Sequence, residues 1–273
     1  MIKDFNNFID KSKKLPRNIV DLDNFRKSSY KEPKKLLNII NDDLTLKEEL
    51  LKIVKFDFID FKENKRNIVN LIKITNLEFI TSLCTAIQIS SIFPKNLFAY
   101  AITKDEFLYS NVFSIYFTNY WLSKIDKKLR SKVLLPAFLK NISKPIISLT
   151  ISKNRSIEQF LEEAINTNIE NAEEKFIGFK SSILSSNILK SFELSHNLIL
   201  PISYSNNLEE APSLFLTSST VLYAIDNISN PKKLLNEEDI LKSVEVLKSI
   251  NFETEQFLEA INEIKSSISR YIN

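Results

Sequence analysis

Glycine is all but missing from this chain. Gly178 is the only one in 273 residues, where ordinary usage is about 7%. Phosphate-cradling loops, dinucleotide-binding turns and nucleophile elbows need glycine for positive φ or close backbone approach. One glycine cannot build them, which sets aside P-loop, Rossmann and α/β-hydrolase chemistry. Histidine is equally scarce: His196 stands alone, and one imidazole cannot form a poly-histidine metal cluster. The sole cysteine, Cys84, rules out an internal disulfide and a zinc–thiolate site. It falls in an apolar helical run and reads as a small buried hydrophobe. Nothing beyond their presence supports a Cys84–His196 nucleophilic pair.

Two further absences concern location. No run of about eighteen apolar residues occurs, the length a membrane helix needs. The nearest, Phe79 to Phe93, is broken by Thr, Ser and Gln. The first residues, Met1-Ile2-Lys3-Asp4, lead into a polar amphipathic segment and not a secretory leader. The expectation is a cytoplasmic protein without membrane insertion. Lysine and arginine total 37 against 34 aspartates and glutamates, a net charge of +3. That modest, interspersed excess ranks nucleic-acid binding last among the readings.

What is present is helical periodicity. Apolar residues recur at helical spacing and predict an all-α fold. Residues 2–14 form an amphipathic segment. Pro33 suits the first turn of a helix over Lys34–Asn41. Thr45 to Glu48 reads as a capping box opening a helix from Leu46 to about Phe56. Phe56 to Phe61 alternates but has no partner strand, so it reads as an extended loop pinned by aromatics. Helices follow at Ile68–Ile74, Leu77–Phe93 and Asp105–Ile125. The last carries Phe107, Tyr109, Phe113, Tyr116, Phe117, Tyr120 and Trp121, which read as core and not as a base-stacking platform.

Lys124, Lys127, Lys128, Arg130 and Lys132 make the densest basic cluster. It reads as a solvated helix start, with an anionic partner as the alternative. Pro145 is expected to break the chain. Ser156 to Gln159 reads as a second capping box, opening a helix to about Asn166. Glu162 and Glu163 point to different faces and read as solvated surface. Three helices close the chain at Leu214–Ile228, Glu237–Ile250 and Thr254–Tyr271. The last two are expected to form an antiparallel hairpin packed on the domain, and an exposed stripe on it would be a partner or homodimer surface.

Several stretches together resemble one family. Ala137-Phe138-Leu139-Lys140-Asn141-Ile142-Ser143-Lys144 is similar to the Leu-Leu-His-Asp-Ile-Gly-Lys motif of HD-domain phosphohydrolases. Lys140 stands at the histidine and Asn141 at the aspartate. Tyr109-Ser110 lies where those enzymes carry a further histidine. Ile177-Gly178-Phe179-Lys180-Ser181 resembles another motif, with the glycine kept and Ser181 in the histidine position. Ile188 to Leu194 is similar to the following segment, with Phe192 for tryptophan, and Ile202 to Asn206 lacks the usual histidines. Earlier, Leu15-Pro16, Ile39 to Leu44 and Leu50 to Val54 match in order. So does Leu71 to Leu77, where Asn76 replaces a glycine and is expected to take a left-handed turn.

The chain thus resembles the HDOD family, relatives of HD hydrolases that lack the metal ligands, over roughly residues 15–206. That resemblance implies an HDOD domain at 1–207, with an N-terminal helical lobe to about residue 95 and an HD-like lobe at 96–207. Residues 208–273 would be a C-terminal helical extension.

The replacements carry chemistry. A lysine ammonium has no lone pair to donate, and an amide is a weaker hard-cation ligand than a carboxylate. HD-type hydrolysis needs a metal that lowers the pKa of bound water. No catalytic residue, metal or other cofactor is therefore expected. The resemblance implies a bacterial regulatory module acting through protein contacts, in motility, second-messenger or stress pathways. The alternative is a small-molecule sensor whose former metal cleft is lined by Tyr109, Lys140, Asn141 and Ser181. There Lys140 would replace the metal's charge and receive a phosphate or carboxylate. His196, near a helix junction, reads as a capping or surface residue.

Overall fold

Short polar side chains at the N-cap accept from backbone N–H groups and set the starts of seven of the described helices. The computed structural model describes residues 17–28, 31–62 and 65–272. The expected helix over 2–14 and the Leu15-Pro16 pair lie outside them. The helices are α1 (Arg17–Lys27), α2 (Pro33–Asp42), α3 (Leu44–Ile53), α4 (Ile68–Ile74) and α5 (Leu77–Ser91), then a 3-10 turn at Phe98–Tyr100. Next come α6 (Lys104–Ile125), α7 (Lys127–Leu139), α8 (Lys144–Lys153), α9 (Ile157–Asn166), α10 (Ile169–Ile177), α11 (Ser181–Ser191) and α12 (His196–Tyr204). A second 3-10 turn at Leu208–Glu210 leads to α13 (Ser213–Ile228), α14 (Glu237–Ser249) and α15 (Glu255–Ile272). Among the described residues there is no strand, and the fold is all-α as expected. No described helix is long and apolar enough to cross a membrane.

The caps correct several local expectations. Asp43, not Thr45, caps α3: its Oδ1 accepts from the Leu46 N–H at 2.9 Å, and its Oδ2 from Gln88 Nε2 at 2.5 Å. That second bond ties α3 to α5, which explains why the helix starts early. Asn76 is extended, at φ −172°, and not left-handed; its Oδ1 accepts from the Phe79 N–H at 2.8 Å and caps α5. An asparagine serves as an N-cap as readily as in a turn. Ser156 makes no side-chain cap, because its Oγ turns back to the Ile151 carbonyl at 3.4 Å. Pro145 occupies the first turn of α8 and opens a helix instead of ending one. A capping box at Thr103 and Glu106, not singled out in the sequence, starts α6. Gly178 ends α10 at φ +84°, so the sole glycine occupies a left-handed cap.

The core runs around α5, α6 and α7. Every residue of α5 from Phe79 to Ile89 is buried, as expected of a helix apolar on all sides. Asp126 separates α6 from α7 and caps the latter through the Lys128 and Leu129 N–H groups, both at 2.9 Å. The two helices therefore fold back on one another. Trp121 is fully buried, with ring centroids 4.8 Å from Phe257 and 5.7 Å from Phe252.

That aromatic contact corrects the expected terminal hairpin. The larger pairing of α14 is with α13, where Ser243 Oγ donates to the Ala224 carbonyl at 3.0 Å. Phe252 and Phe257 carry α15 away, across α6. The basic cluster is partly committed: Arg130 pairs with Glu78, and Lys124 with Glu263 at 2.8 Å.

Candidate functional site

Helix α7 ends at Leu139, and residues 140–143 turn tightly before α8. The turn delivers two side chains to one acid on α13. Lys140 Nζ lies 2.9 Å from Asp226 Oδ2, and Asn141 Nδ2 donates to Asp226 Oδ1 at 2.7 Å. Lys140 is 2% exposed, and its ammonium also lies 5.9 Å from the centre of the Tyr223 ring. The Asp226 side chain keeps 24% of its surface open to a cleft. Burial pushes the Asp226 carboxyl up, but Lys140, Lys144 and Asn141 outweigh it and hold it at about 2. It stays a carboxylate because a lysine neutralises it.

The cleft has a volume of about 440 Å³. Asn141, Lys144, Glu170, Asp226, Asn227 and Asp239 supply its polar wall, and Leu161, Ala164, Ile165 and Ile169 its apolar one. Asn206 Nδ2 donates to Glu170 Oε1. Burial raises the Glu170 carboxyl above its usual range, with the Asp226 charge adding and the neighbouring lysines opposing. Behind this wall Glu173 is wholly buried, accepting from Tyr100 Oη at 2.9 Å and the Ser181 N–H at 2.7 Å. Burial pushes its carboxyl up against the pull of Lys144. Lys144 is half-buried and forms no ion pair among the described residues; its ammonium lies 5.7 Å from the centre of the Tyr100 ring.

The four residues singled out from sequence do not converge. Lys140 and Asn141 meet at Asp226, with Asn141 on the cleft wall and Lys140 behind it. Ser181 is buried at the start of α11; its carbonyl accepts from Ser143 Oγ at 2.8 Å. Tyr109 faces away, its hydroxyl bonded to Asp57 Oδ1 at 2.6 Å and its ring 4.9 Å from those of Phe56 and Phe58. The next residue, Ser110, lines the cleft and donates to the Ser229 carbonyl.

Sequence reasoning missed Asp226, Glu170 and Lys144. For Asp226 a signal existed, as the only charged residue in the apolar helix from Ser213 to Ile228. His196 is exposed at the first turn of α12, a surface position. Cys84 is fully buried, and burial pushes its thiol far up.

These side chains do not fit a divalent cation. The ammonium occupies one face of Asp226, and Asn141 turns its N–H groups, not its oxygen, toward the same carboxylate. No group of three or more metal-ligating side chains occurs among the described residues.

An all-α bundle that keeps the HD frame but puts a lysine–aspartate pair at its motif defines an HD-like domain with altered site chemistry. The HDOD domain family model matches residues 13–208, and the chain belongs to that family. No curated protein matches it. Among solved structures, a virulence factor from Campylobacter jejuni is 22% identical with a TM-score of 0.57, over 93% of this chain and 94% of that one. An HDOD domain protein of unknown function from Geobacter sulfurreducens is 12% identical with a TM-score of 0.68, over 94% and 89%. A candidate phosphohydrolase from Shewanella amazonensis SB2B is 12% identical with a TM-score of 0.68, over 98% of both chains. At these identities the likeness is one of fold. Coverage of 98% also extends past residue 208, so that fold includes the C-terminal helices.

Proposed function

We propose that this HDOD protein is a non-catalytic regulatory module of bacterial signal transduction, working through protein–protein contacts. The carrying observation is the Lys140–Asp226–Asn141 knot, where the family resemblance places a catalytic metal. A cation built into the chain repels a divalent ion and consumes the carboxylate that would hold it. The domain layout expected from sequence, 1–207 with an extension at 208–273, is kept as part of this proposal, as are a cytoplasmic location and a role in motility or stress control. The exposed Leu241 on α14 and Leu258 on α15 supply apolar surface for a partner or a second copy.

Two assays test the reading. Hydrolysis of p-nitrophenyl phosphate and its bis ester, with Mn²⁺, Mg²⁺, Fe²⁺ or Ni²⁺ added, should stay at background. Turnover lost in Asp226→Ala would overturn the proposal. Affinity capture from native lysate should recover a specific protein, and repeated empty captures would count equally against it.

A second reading, a sensor of phosphorylated metabolites, is supported by Lys144, which reaches the cleft and forms no ion pair among the described residues. A phosphate arriving there would not have to displace Asp226 from Lys140. Thermal unfolding against nucleotides, cyclic dinucleotides and phosphorylated metabolites tests this. A ligand at one hundred times its Kd stabilises by about 2.7 kcal/mol, and that shift should vanish in Lys144→Ala.

A further inference from the structure

A second cleft, of about 210 Å³, opens where α1, α5, α7 and α12 meet, and it shares no lining residue with the cleft at Asp226. Arg26, Lys31 and Lys132 stand on its wall against one carboxylate, Glu78, which Arg130 already engages. Lys31 and Lys132 form no ion pair among the described residues. Arg26 gives Nε and Nη2 to Asp23 Oδ1, at 3.0 and 2.7 Å, and its Nη1 has no acceptor. The start of α12 forms part of the same wall, through Ser195 and Asn197. Ser195 makes no side-chain cap, and the Leu198 and Ile199 N–H groups go to its carbonyl at 2.9 and 3.2 Å. The N–H groups of His196 and Asn197 are left over, at a helix end that favours negative charge.

Ser82 gives an independent sign of a ligand. Helix α5 carries four other hydroxyls, on Thr81, Thr85, Ser90 and Ser91, and each donates back to a carbonyl of the helix. Ser82 does not: it is 3% exposed, and its hydroxyl forms no hydrogen bond. The unpartnered hydroxyls of Ser182 and Ser219 are sealed from any surface, whereas that of Ser82 keeps accessible surface, and Ser82 lines this cleft. A buried hydroxyl is thus held as a free donor beside three cations.

We propose that this cleft binds the phosphate of a small phosphorylated metabolite, held by Lys31, Lys132 and Arg26, with Ser82 Oγ donating to one of its oxygens. Charge selects phosphate over carboxylate: two lysines without ion pairs match the nearly two negative charges of a phosphate monoester at neutral pH. Size limits the rest of the molecule. A cavity of about 150 Å³ holds benzene, so this one suits roughly eight heavy atoms, a phosphate with a body of about three carbons. Leu135, Pro136 and Leu198 supply the apolar wall for that body. The assignment does not depend on the sensor reading of Lys144, which lies in the other cleft.

Propyl phosphate and inorganic phosphate are the probes, titrated into the full chain at fixed ionic strength, with propan-1-ol as the body without the charge. Methyl NMR reads Leu135 and Leu198. Both phosphates should give saturable shifts there, and propan-1-ol none. Lys31→Ala/Lys132→Ala should weaken propyl phosphate at least tenfold, which is 1.4 kcal/mol, and Ser82→Ala about threefold. Lys144→Ala should bind as the wild type does. Neither Lys31 nor Lys132 is in an ion pair, so the double variant should keep the wild-type melting temperature; Lys132→Glu, on an exposed side chain, gives the same loss by charge reversal. The absence of saturable shifts overturns the proposal. So does unchanged affinity in the double variant or in Ser82→Ala, and so does binding lost in Lys144→Ala, which would put the phosphate in the other cleft. A phosphoserine peptide, or vesicles of phosphatidylcholine with phosphatidic acid, bound at least tenfold tighter than propyl phosphate would make the occupant a protein or a lipid and overturn its assignment as a small metabolite.

Discussion

Replacing Lys140 with methionine isolates the energetics of the buried pair. In the wild type Asp226 is drawn from the ordinary 3.8 to about 2, which contributes about 2 kcal/mol at neutral pH. Lys140→Met removes the cation and leaves the carboxylate with the Asn141 bond at 2.7 Å and its opening to the cleft. Stranding one member of a buried pair costs about 3–5 kcal/mol. Those two compensations set the expectation near 3 kcal/mol. In a chain of this size that lowers the melting temperature by roughly 6–12 °C.

Urea unfolding at pH 7 measures the cost. The double variant Lys140→Met/Asp226→Leu, which exchanges the pair for apolar contact, should recover most of it. The pH dependence gives a second reading. The wild-type contribution is complete above about pH 4 and is lost as pH falls through 2. In Lys140→Met the Asp226 carboxyl rises, so falling pH neutralises the stranded charge and narrows the gap between variant and wild type. A cost under about 1 kcal/mol for the single variant would refute the argument. So would a double variant as unstable as the two single changes added together.

Further outcomes follow from particular residues. Gly178→Ala keeps open space around the new methyl and meets only backbone strain at φ +84°, so urea unfolding should show a loss of about 1 kcal/mol. Trp121→Ala empties a fully buried site between Phe117, Phe252 and Phe257, and should cost about 3–5 kcal/mol. It should also loosen α15, read as faster amide exchange there. Cys84 should resist a thiol-reactive disulfide reagent in the native state and react fully in denaturant, because its thiol is buried and protonated. Ready native labelling would contradict that packing.

The helices were legible because apolar spacing survives where single motifs are loose: the ranges at Ile68–Ile74 and Asp105–Ile125 match the structure to within a residue. Caps were less legible. Ser156 and Thr45 have the right type and spacing, yet tertiary partners decide which short polar side chain reaches the helix end, as Gln88 does for Asp43. The site was half legible. Motif position identified Lys140 and Asn141, but their common partner lies 86 and 85 residues further on, and nothing local marks that distance. Tyr109 was misplaced for a simpler reason: one step along a helix rotates a side chain by about 100°, so Ser110, not Tyr109, meets the cleft.

Asp226 belongs to α13, beyond residue 208 where the family match ends. A fragment cut at that boundary would keep a deeply placed ammonium and discard its counter-charge. The tail therefore contributes to the domain's electrical balance, and a fragment is expected to need residues through Ile228 to keep that pair intact. Homology sets one limit on this domain and charge neutrality sets another, further along the chain.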